Sequence, residues 1–400
     1  MSGVFHLEVG DDRTATLTFD VPGKRVNIFN RDAFAELERT IDDLAARAGE
    51  IGVLILLSGK PGSFIAGADV EEIARVDDPA EAEAGSRLGQ RLFAAWEALP
   101  FPTVAAIRGL CLGGGTELAL ASTYRVASDR ADTRIGLPEV RLGIVPGWGG
   151  STRLPRLLGL ADALDLILTG KNVPAKRAER MGLVDALLPD ARFLDLVRDF
   201  ARERLDRPRS AAAGRGFKEL LTDKNPLGRH VVFDQARKKT LASTRGQYPA
   251  PLRAIEVVRV GVEEGAAKGF DAEARAVGEL AVSATAKNLQ HVFHLTEAAK
   301  RESGLPGASA RPVTHTAVLG AGTMGGGIAQ IIAAEADLPV RLKDVCYDAL
   351  AAGMEHAGAL FATQREKRRI DAASARRKMA LLGPTLDWSG FSRADLVIEA

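Results

Sequence analysis

The fold is decided by residues 100–150, where Thr103-Val104-Ala105-Ala106-Ile107 runs into Gly109-Leu110-Cys111-Leu112, then Gly113-Gly114-Gly115-Thr116-Glu117, and past a loop into Ile135-Gly136-Leu137-Pro138-Glu139. The first run is apolar and short, as a buried strand is, and the residues after Glu117 continue in helical fashion. Glycines between a strand and a helix let the backbone approach a ligand and aim N–H groups at it, because no Cβ intervenes. Glu117 and Glu139 then flank a backbone donor, a pairing suited to general acid and base work on water. Taken alone, the same letters fit a tight turn with two solvated glutamates equally well.

Two further motifs accompany this one. Phe64-Ile65-Ala66-Gly67-Ala68-Asp69 precedes it, and Leu137-Pro138-Glu139 leads to Gly143-Ile144-Val145-Pro146-Gly147-Trp148-Gly149-Gly150. In this order the three motifs resemble the enoyl-CoA hydratase (crotonase) family. The resemblance implies a ββα spiral, with the backbone amides of Ala68 and Gly114 forming an oxyanion hole for the thioester carbonyl of an acyl-CoA. It also implies that Glu117 orients and deprotonates the attacking water while Glu139 supplies the proton to C2. Apolar neighbours such as Leu137 and Val140 favour a protonated Glu139 by desolvation. The glutamates stand 139 − 117 = 22 residues apart, about two more than is common in this family, with the extra residues assigned to Ser128–Thr133 in a surface loop. Ser122-Thr123 stands where relatives often carry an acidic residue.

Working back towards the start, Phe5, Leu7 and Val9 alternate with polar residues, Gly10–Arg13 carries turn chemistry, and Ala15, Leu17 and Phe19 alternate again, a hairpin pattern. Phe34, Leu37, Ile41 and Leu44 form the stripe of an amphipathic helix, and Gly52–Leu57 is the continuous apolar run of a strand covered on both faces. Pattern alone gives mixed α/β. Asp69 reads as a helix N-cap with an acidic capping-box partner, so a structural role is preferred for it. Lys24-Arg25, in the loop before Val26-Asn27, is a candidate contact for CoA phosphates.

From Asp162 onward helices dominate, one of them opening at Lys171–Ala175 and ending at Gly182. Beyond Pro189 the pattern is helical and basic to about Lys300, with breaks at Pro208, Pro226 and Pro249-Ala250-Pro251. His291 and His294 lack Cys or carboxylate company and read as polar surface, so no metal is expected. Glu302–Pro312, rich in Gly, Pro, Ser and Ala, reads as a linker.

A second glycine motif follows. Val313–Leu319 is strand-like, Gly320-Ala321-Gly322-Thr323-Met324-Gly325 comes at once, and Ile328, Ile331 and Ile332 mark a helix. A second strand, Val340–Lys343, ends at Asp344, 344 − 322 = 22 residues past the middle glycine. Gly320, Gly322 and Gly325 suit a tight turn, pyrophosphate approach and helix packing, and the acid suits the ribose hydroxyls of NAD while repelling a 2′-phosphate. This stretch resembles the NAD-binding segment of L-3-hydroxyacyl-CoA dehydrogenases, whose catalytic histidine and acid would fall beyond Ala400. A hydratase followed by this start is similar to the multifunctional β-oxidation family, which implies a thiolase β subunit as partner. The expected division is 1–190 hydratase core, 191–310 helical extension and linker, and 311–400 partial Rossmann domain. The chain, ending at Asp395–Ala400 in strand-like sequence expected to be buried, reads as a fragment.

Length, a net charge of +1 and 46% hydrophobic residues fit a multidomain globular chain and give no indication of a nucleic-acid or membrane-surface partner. Cys111 and Cys346 are too isolated for a disulfide framework, and no secretory leader or long apolar run is read, so a cytoplasmic setting is expected. The basic groups at 365–369 and 376–378 read as a solvated helix face. Two other activities compete: Δ3-Δ2-enoyl-CoA isomerisation on the same fold, and a non-catalytic scaffold that binds CoA or NAD and recruits a thiolase.

Overall fold

The expected hairpin forms: β1 (Phe5–Val9) pairs antiparallel with β2 (Thr14–Phe19), Phe5 opposite Phe19. The computed structural model describes residues 3–205, 225–301, 310–367 and 369–400, in two compact units, Met1–Lys300 and Arg301–Ala400. Helix α1 (Arg31–Ala46) starts at Asn30, whose side chain accepts from the Ala33 N–H, and buries Phe34, Leu37, Ile41 and Leu44 as the stripe predicts. Strand β3 (Val53–Ser58) lies parallel to β2. Its apolar run is continuous because Leu54 and Leu56 enter the main core, whereas Val53 and Ile55 meet Phe193, Val197 and Ala201 on the opposite face.

The chain then repeats one move. Short β4 (Ser63–Ile65) and α2 (Val70–Arg75) lead to the long α3 (Pro79–Glu97). Next come β5 (Thr103–Ile107), β6 (Leu110–Leu112) and α4 (Gly114–Ala121), followed by β7 (Tyr124–Ser128), β8 (Arg134–Gly136) and α5 (Gly150–Leu158). After α6 (Leu160–Thr169), β9 (Val173–Pro174) and α7 (Ala175–Arg180), β10 (Ala186–Leu188) joins the larger sheet. That sheet has the order β1-β2-β3-β5-β7-β10, and the smaller one β4-β6-β8-β9. Each turn of the spiral thus gives one long strand to the first sheet and one short strand to the second. β4, β6 and β8 end at Ile65, Leu112 and Gly136, shortly before Ala68, Gly114 and Glu139.

Helix α8 (Phe193–Arg202) covers the larger sheet, and α9 (Pro226–Thr244), α10 (Pro249–Glu263), α11 (Ala266–Ala281) and α12 (Ala284–Arg301) complete the first unit. The expected breaks at Pro226 and Pro249 are first residues of α9 and α10, a position that needs no N–H donor. Pro208 and most of the expected linker lie outside the described residues. Helix α11 packs along α3 and α10.

The second unit holds β11 (Thr316–Leu319), α13 (Thr323–Ile331), β12 (Val340–Lys343), α14 (Tyr347–Glu366), α15 (Ala372–Met379), β13 (Leu382–Thr385) and β14 (Leu396–Glu399). Its sheet is parallel in the order β13-β12-β11-β14. β14 departs from expectation: it pairs with β11, yet Leu396 and Val397 are 44% and 48% exposed. On α15, Arg377 and Lys378 pair with Asp337.

Candidate active site

The glycine triplet makes the joint between β6 and α4. Gly113 takes φ +52, which favours glycine. A Cβ on Gly115 would collide with the Ile65 carbonyl, and one on Gly114 with the Trp148 ring. Thr116 Oγ1 lies 2.8 Å from both the Cys111 and Gly136 carbonyls, fastening the helix start to β6 and β8. Burial pushes the Cys111 thiol up to about 12, so it remains a small apolar group.

Ala68 lies opposite. Phe29 N–H donates to Gly67 O (2.8 Å) and Asp69 N–H to Phe29 O (2.9 Å), leaving the Ala68 amide between them. Among the described residues, neither the Ala68 nor the Gly114 N–H has an acceptor in the chain. The two turns touch, since a Cβ on Gly67 would stand 3.7 Å from Gly114 N. Both line a cavity of about 820 Å³ that also receives Glu117, Glu139, Phe29 and Trp148. Asp69 caps α2 by accepting from Glu71 N–H (2.9 Å). The capping box is incomplete: Asp69's own amide is taken by Phe29, so the Glu72 carboxylate accepts from Arg31 N–H at 3.2 Å.

Both glutamates are buried, yet their surroundings differ. Glu117, 2% exposed, accepts on one oxygen from Trp148 N–H (2.7 Å) and Gly150 N–H (2.8 Å) at the start of α5. Burial pushes its carboxyl up to about 7, against the pull of those amides and of the Arg153 charge. Glu139, 8% exposed, has no hydrogen-bond partner on either oxygen among the described residues. It lies beside the glycine turn, where a Cβ on Gly113 would stand 3.3 Å from its Oε1. Burial, then the Glu117 charge, hold its carboxyl well above the usual range. One carboxylate is therefore held by amides and the other is left as an unpartnered acid.

A third buried acid was not singled out from sequence. Glu273 of α11, 0% exposed, accepts from Gly149 N–H (2.6 Å) and Gln90 Nε2 (3.1 Å) on one oxygen and from Ser151 N–H (2.9 Å) on the other. Burial and then the Glu117 charge push it up to about 8. No local signal marks it, because its backbone partners are 122 and 124 residues away.

In the second unit, Gly320 takes φ +93, and Gly325 passes so close to Gly320 O that any Cβ would collide. Gly322, preceding α13, faces open space. These are the tight turn, the helix contact and the unobstructed approach that a pyrophosphate needs. Asp344 ends β12 with its carboxylate accepting from Ala321 N–H (2.7 Å) and Val345 N–H (2.6 Å), so it braces the glycine turn, and its oxygens keep further lone pairs for hydroxyls. Those amides hold it below the usual carboxylate range.

Residues 12–237 match the profile of the enoyl-CoA hydratase/isomerase family. The chain belongs to that family. Residues 315–400 match the NAD-binding domain of 3-hydroxyacyl-CoA dehydrogenase. The chain is 42% identical to the fatty acid oxidation complex subunit alpha of Vibrio campbellii over 99% of its own length and 56% of that protein's. The protein of the same name from Vibrio vulnificus gives the same figures. The chain therefore spans about half the length of these curated relatives. Among solved structures, an enoyl-CoA hydratase/isomerase from Xanthobacter autotrophicus is 21% identical with a TM-score of 0.53, covering 76% of this chain and 100% of that one, a likeness of fold.

On this hydratase/isomerase fold, Lys24 and Arg25 do not line the cavity, whereas Arg31, Arg87 and Arg91 do. Ser122-Thr123 does have a use: Ser122 Oγ accepts from Trp96 Nε1 (3.1 Å), and Thr123 Oγ1 accepts from Thr103 N–H (3.0 Å). Of the expected surface loop Ser128–Thr133, Asp129, Ala131 and Asp132 are exposed, whereas Ser128, the last residue of β7, and Thr133 are buried. Both cysteines are free. Among the described residues no group of three or more His, Cys, Asp or Glu is placed to hold a metal, and no helix is long and apolar enough to cross a membrane.

Proposed function

We propose that the first unit adds water across the double bond of a trans-2-enoyl-CoA, giving an L-3-hydroxyacyl-CoA in fatty-acid β-oxidation. The observation that carries this is the unequal treatment of two buried glutamates facing one cavity beside two unpartnered amides. The Ala68 and Gly114 N–H groups donate to the thioester oxygen, and charge withdrawn onto it makes C3 electrophilic. One such donor is worth about 3–4 kcal/mol in the transition state. Glu117, fixed by Trp148 and Gly150, takes a proton from water as oxygen bonds to C3. Glu139 gives its proton to C2. The Phe29, Phe34 and Trp148 rings make the cavity wall apolar and suit an acyl chain, with Phe93 packed against the indole from behind; the three phenyl centroids lie 4.7 to 5.9 Å from that of the indole.

We read the second unit as the start of the dehydrogenase that oxidises this product. Gly320, Gly322, Gly325 and Asp344 would hold NAD, which supplies a hydride acceptor when bound. A thiolase β subunit as partner and a cytoplasmic setting complete the proposal, by analogy with the multifunctional family.

Loss of enoyl-thioester ultraviolet absorbance on adding the chain to a trans-2-enoyl-CoA tests the reading. Turnover supports hydration. Turnover of a 3-enoyl-CoA without hydration would favour isomerisation, and inertness towards both would favour the scaffold.

A further inference from the structure

The turn Gly147–Ser151 is gripped by two carboxylates from opposite sides, through alternate amides. Trp148 and Gly150 donate to Glu117, and Gly149 and Ser151 donate to Glu273. The turn opens α5, and Gly149 sits at φ +108, where few residues other than glycine are comfortable. Four successive amides at a helix start thus point alternately to two acids, whose oxygens take up donors that the helix start leaves without an intrahelical partner.

Glu273 belongs to α11, which follows the region matched by the hydratase profile. Neither oxygen lines the cavity, so Glu273 touches no reacting atom. Its own place is fixed. Gln90 of α3 donates to it and to Phe270 O (2.9 Å), and the Phe270 ring lies 5.1 Å from the Arg153 guanidinium. Arg153 in turn donates to Trp148 O (3.0 Å). Helix α11 therefore holds the turn by its amides through Glu273 and supports, through Phe270, the arginine that holds a carbonyl.

We infer that Glu273 is a positioning residue for hydration, fixing through the 148–151 amides the orientation in which Glu117 meets water, so that helix α11 is part of the hydratase site. This rests on the hydratase reading above. The physical reason is that, among the described residues, Glu117 has no other hydrogen-bonded anchor: moving the turn moves both of its donors. Displacing a catalytic group by about 1 Å costs roughly a hundredfold in rate. Glutamine at 273 keeps the shape but turns an NH₂ towards one of two backbone N–H donors, so one amide loses its acceptor and the turn relaxes.

The test is a double-mutant cycle on the whole 400-residue chain: wild type, Glu273→Gln, Glu117→Gln and the double variant. Hydration of a trans-2-enoyl-CoA and the affinity for butyryl-CoA, a saturated probe, are measured for each. Glu273→Gln is expected to lower kcat about 10- to 100-fold, with butyryl-CoA affinity held within about threefold because the Ala68 and Gly114 amides are untouched. In the Glu117→Gln background it is expected to cost less than about twofold more, since residues acting as a unit are non-additive. Multiplicative losses in the double variant, or a Glu273→Gln kcat within about twofold of wild type, would overturn the inference. Should Glu273→Gln fail to fold, Glu273→Asp, which keeps the charge but withdraws it by one methylene, is carried through the same cycle with the same criteria. A wild-type chain inert towards enoyl thioesters would remove the hydratase reading and this inference together, whereas active wild type with an indifferent Glu273 removes only the latter.

Discussion

The base assigned to Glu117 fixes where the acid side of the pH profile must fall. An exposed glutamate ionises near 4.5, whereas burial pushes Glu117 to about 7. At about 1.4 kcal/mol per pH unit, the charged form carries a penalty on the order of 3 kcal/mol, left over after two amides have offset part of the desolvation. Below pH 7 the base is increasingly protonated, so kcat/KM for hydration should fall tenfold per pH unit on that side. Burial, and then the Glu117 charge, also hold the Glu139 carboxyl well above the usual range, and its oxygens have no donors among the described residues. As the proton donor to C2 it must carry its proton for turnover, so its ionisation is expected to close the profile on the alkaline side. Glu139→Gln should lower kcat by about 10²- to 10⁴-fold, leave the acid limb within about half a pH unit, and erase the alkaline limb. Stopped-flow absorbance of an enoyl thioester from pH 5 to 9 reads all of this. An acid limb near 4.5 would refute the desolvation argument, and unimpaired Glu139→Gln would exclude the acid role.

Stability should report the same burial. A carboxyl whose folded pKa is raised contributes stability that is fully present below the ordinary 4.5 and lost as pH rises through the folded value. The gain in unfolding free energy from Glu139→Gln should therefore grow between pH 5 and pH 8 in urea titrations, and a pH-independent difference would contradict it. Arg125 is 2% exposed, pairs with Asp185 (3.1 Å) and donates to Leu183 O and Ser122 O. Arg125→Ala should cost about 3–5 kcal/mol by leaving those acceptors without their cation, and a midpoint within error of wild type would show the network to be dispensable. In the second unit, Gly325→Ala places a methyl against Gly320 O. It should weaken NAD binding, measured by calorimetry, at least tenfold while leaving hydration unchanged, and retained affinity would disprove the close-packing role.

What the sequence determined by itself was local. Alternation gave the β1–β2 hairpin, the three- and four-residue steps gave α1, and uninterrupted Val53–Leu57 announced a strand with two covered faces. Gly113–Gly115 and Gly320–Gly325 were readable because a backbone that must bend sharply or approach another chain closely excludes side chains. Tertiary structure alone decided the chemistry of the acids. Glu117, Glu139 and Glu273 are the same residue in sequence; one is held by the 148 and 150 amides, one is left without donors, and one clamps the turn from a helix more than a hundred residues on. Ionisation depends on desolvation and on donors brought from distant segments, quantities that exist only after the chain has packed. The same holds for Arg31, Arg87 and Arg91, which α1 and α3 bring to the cavity lining.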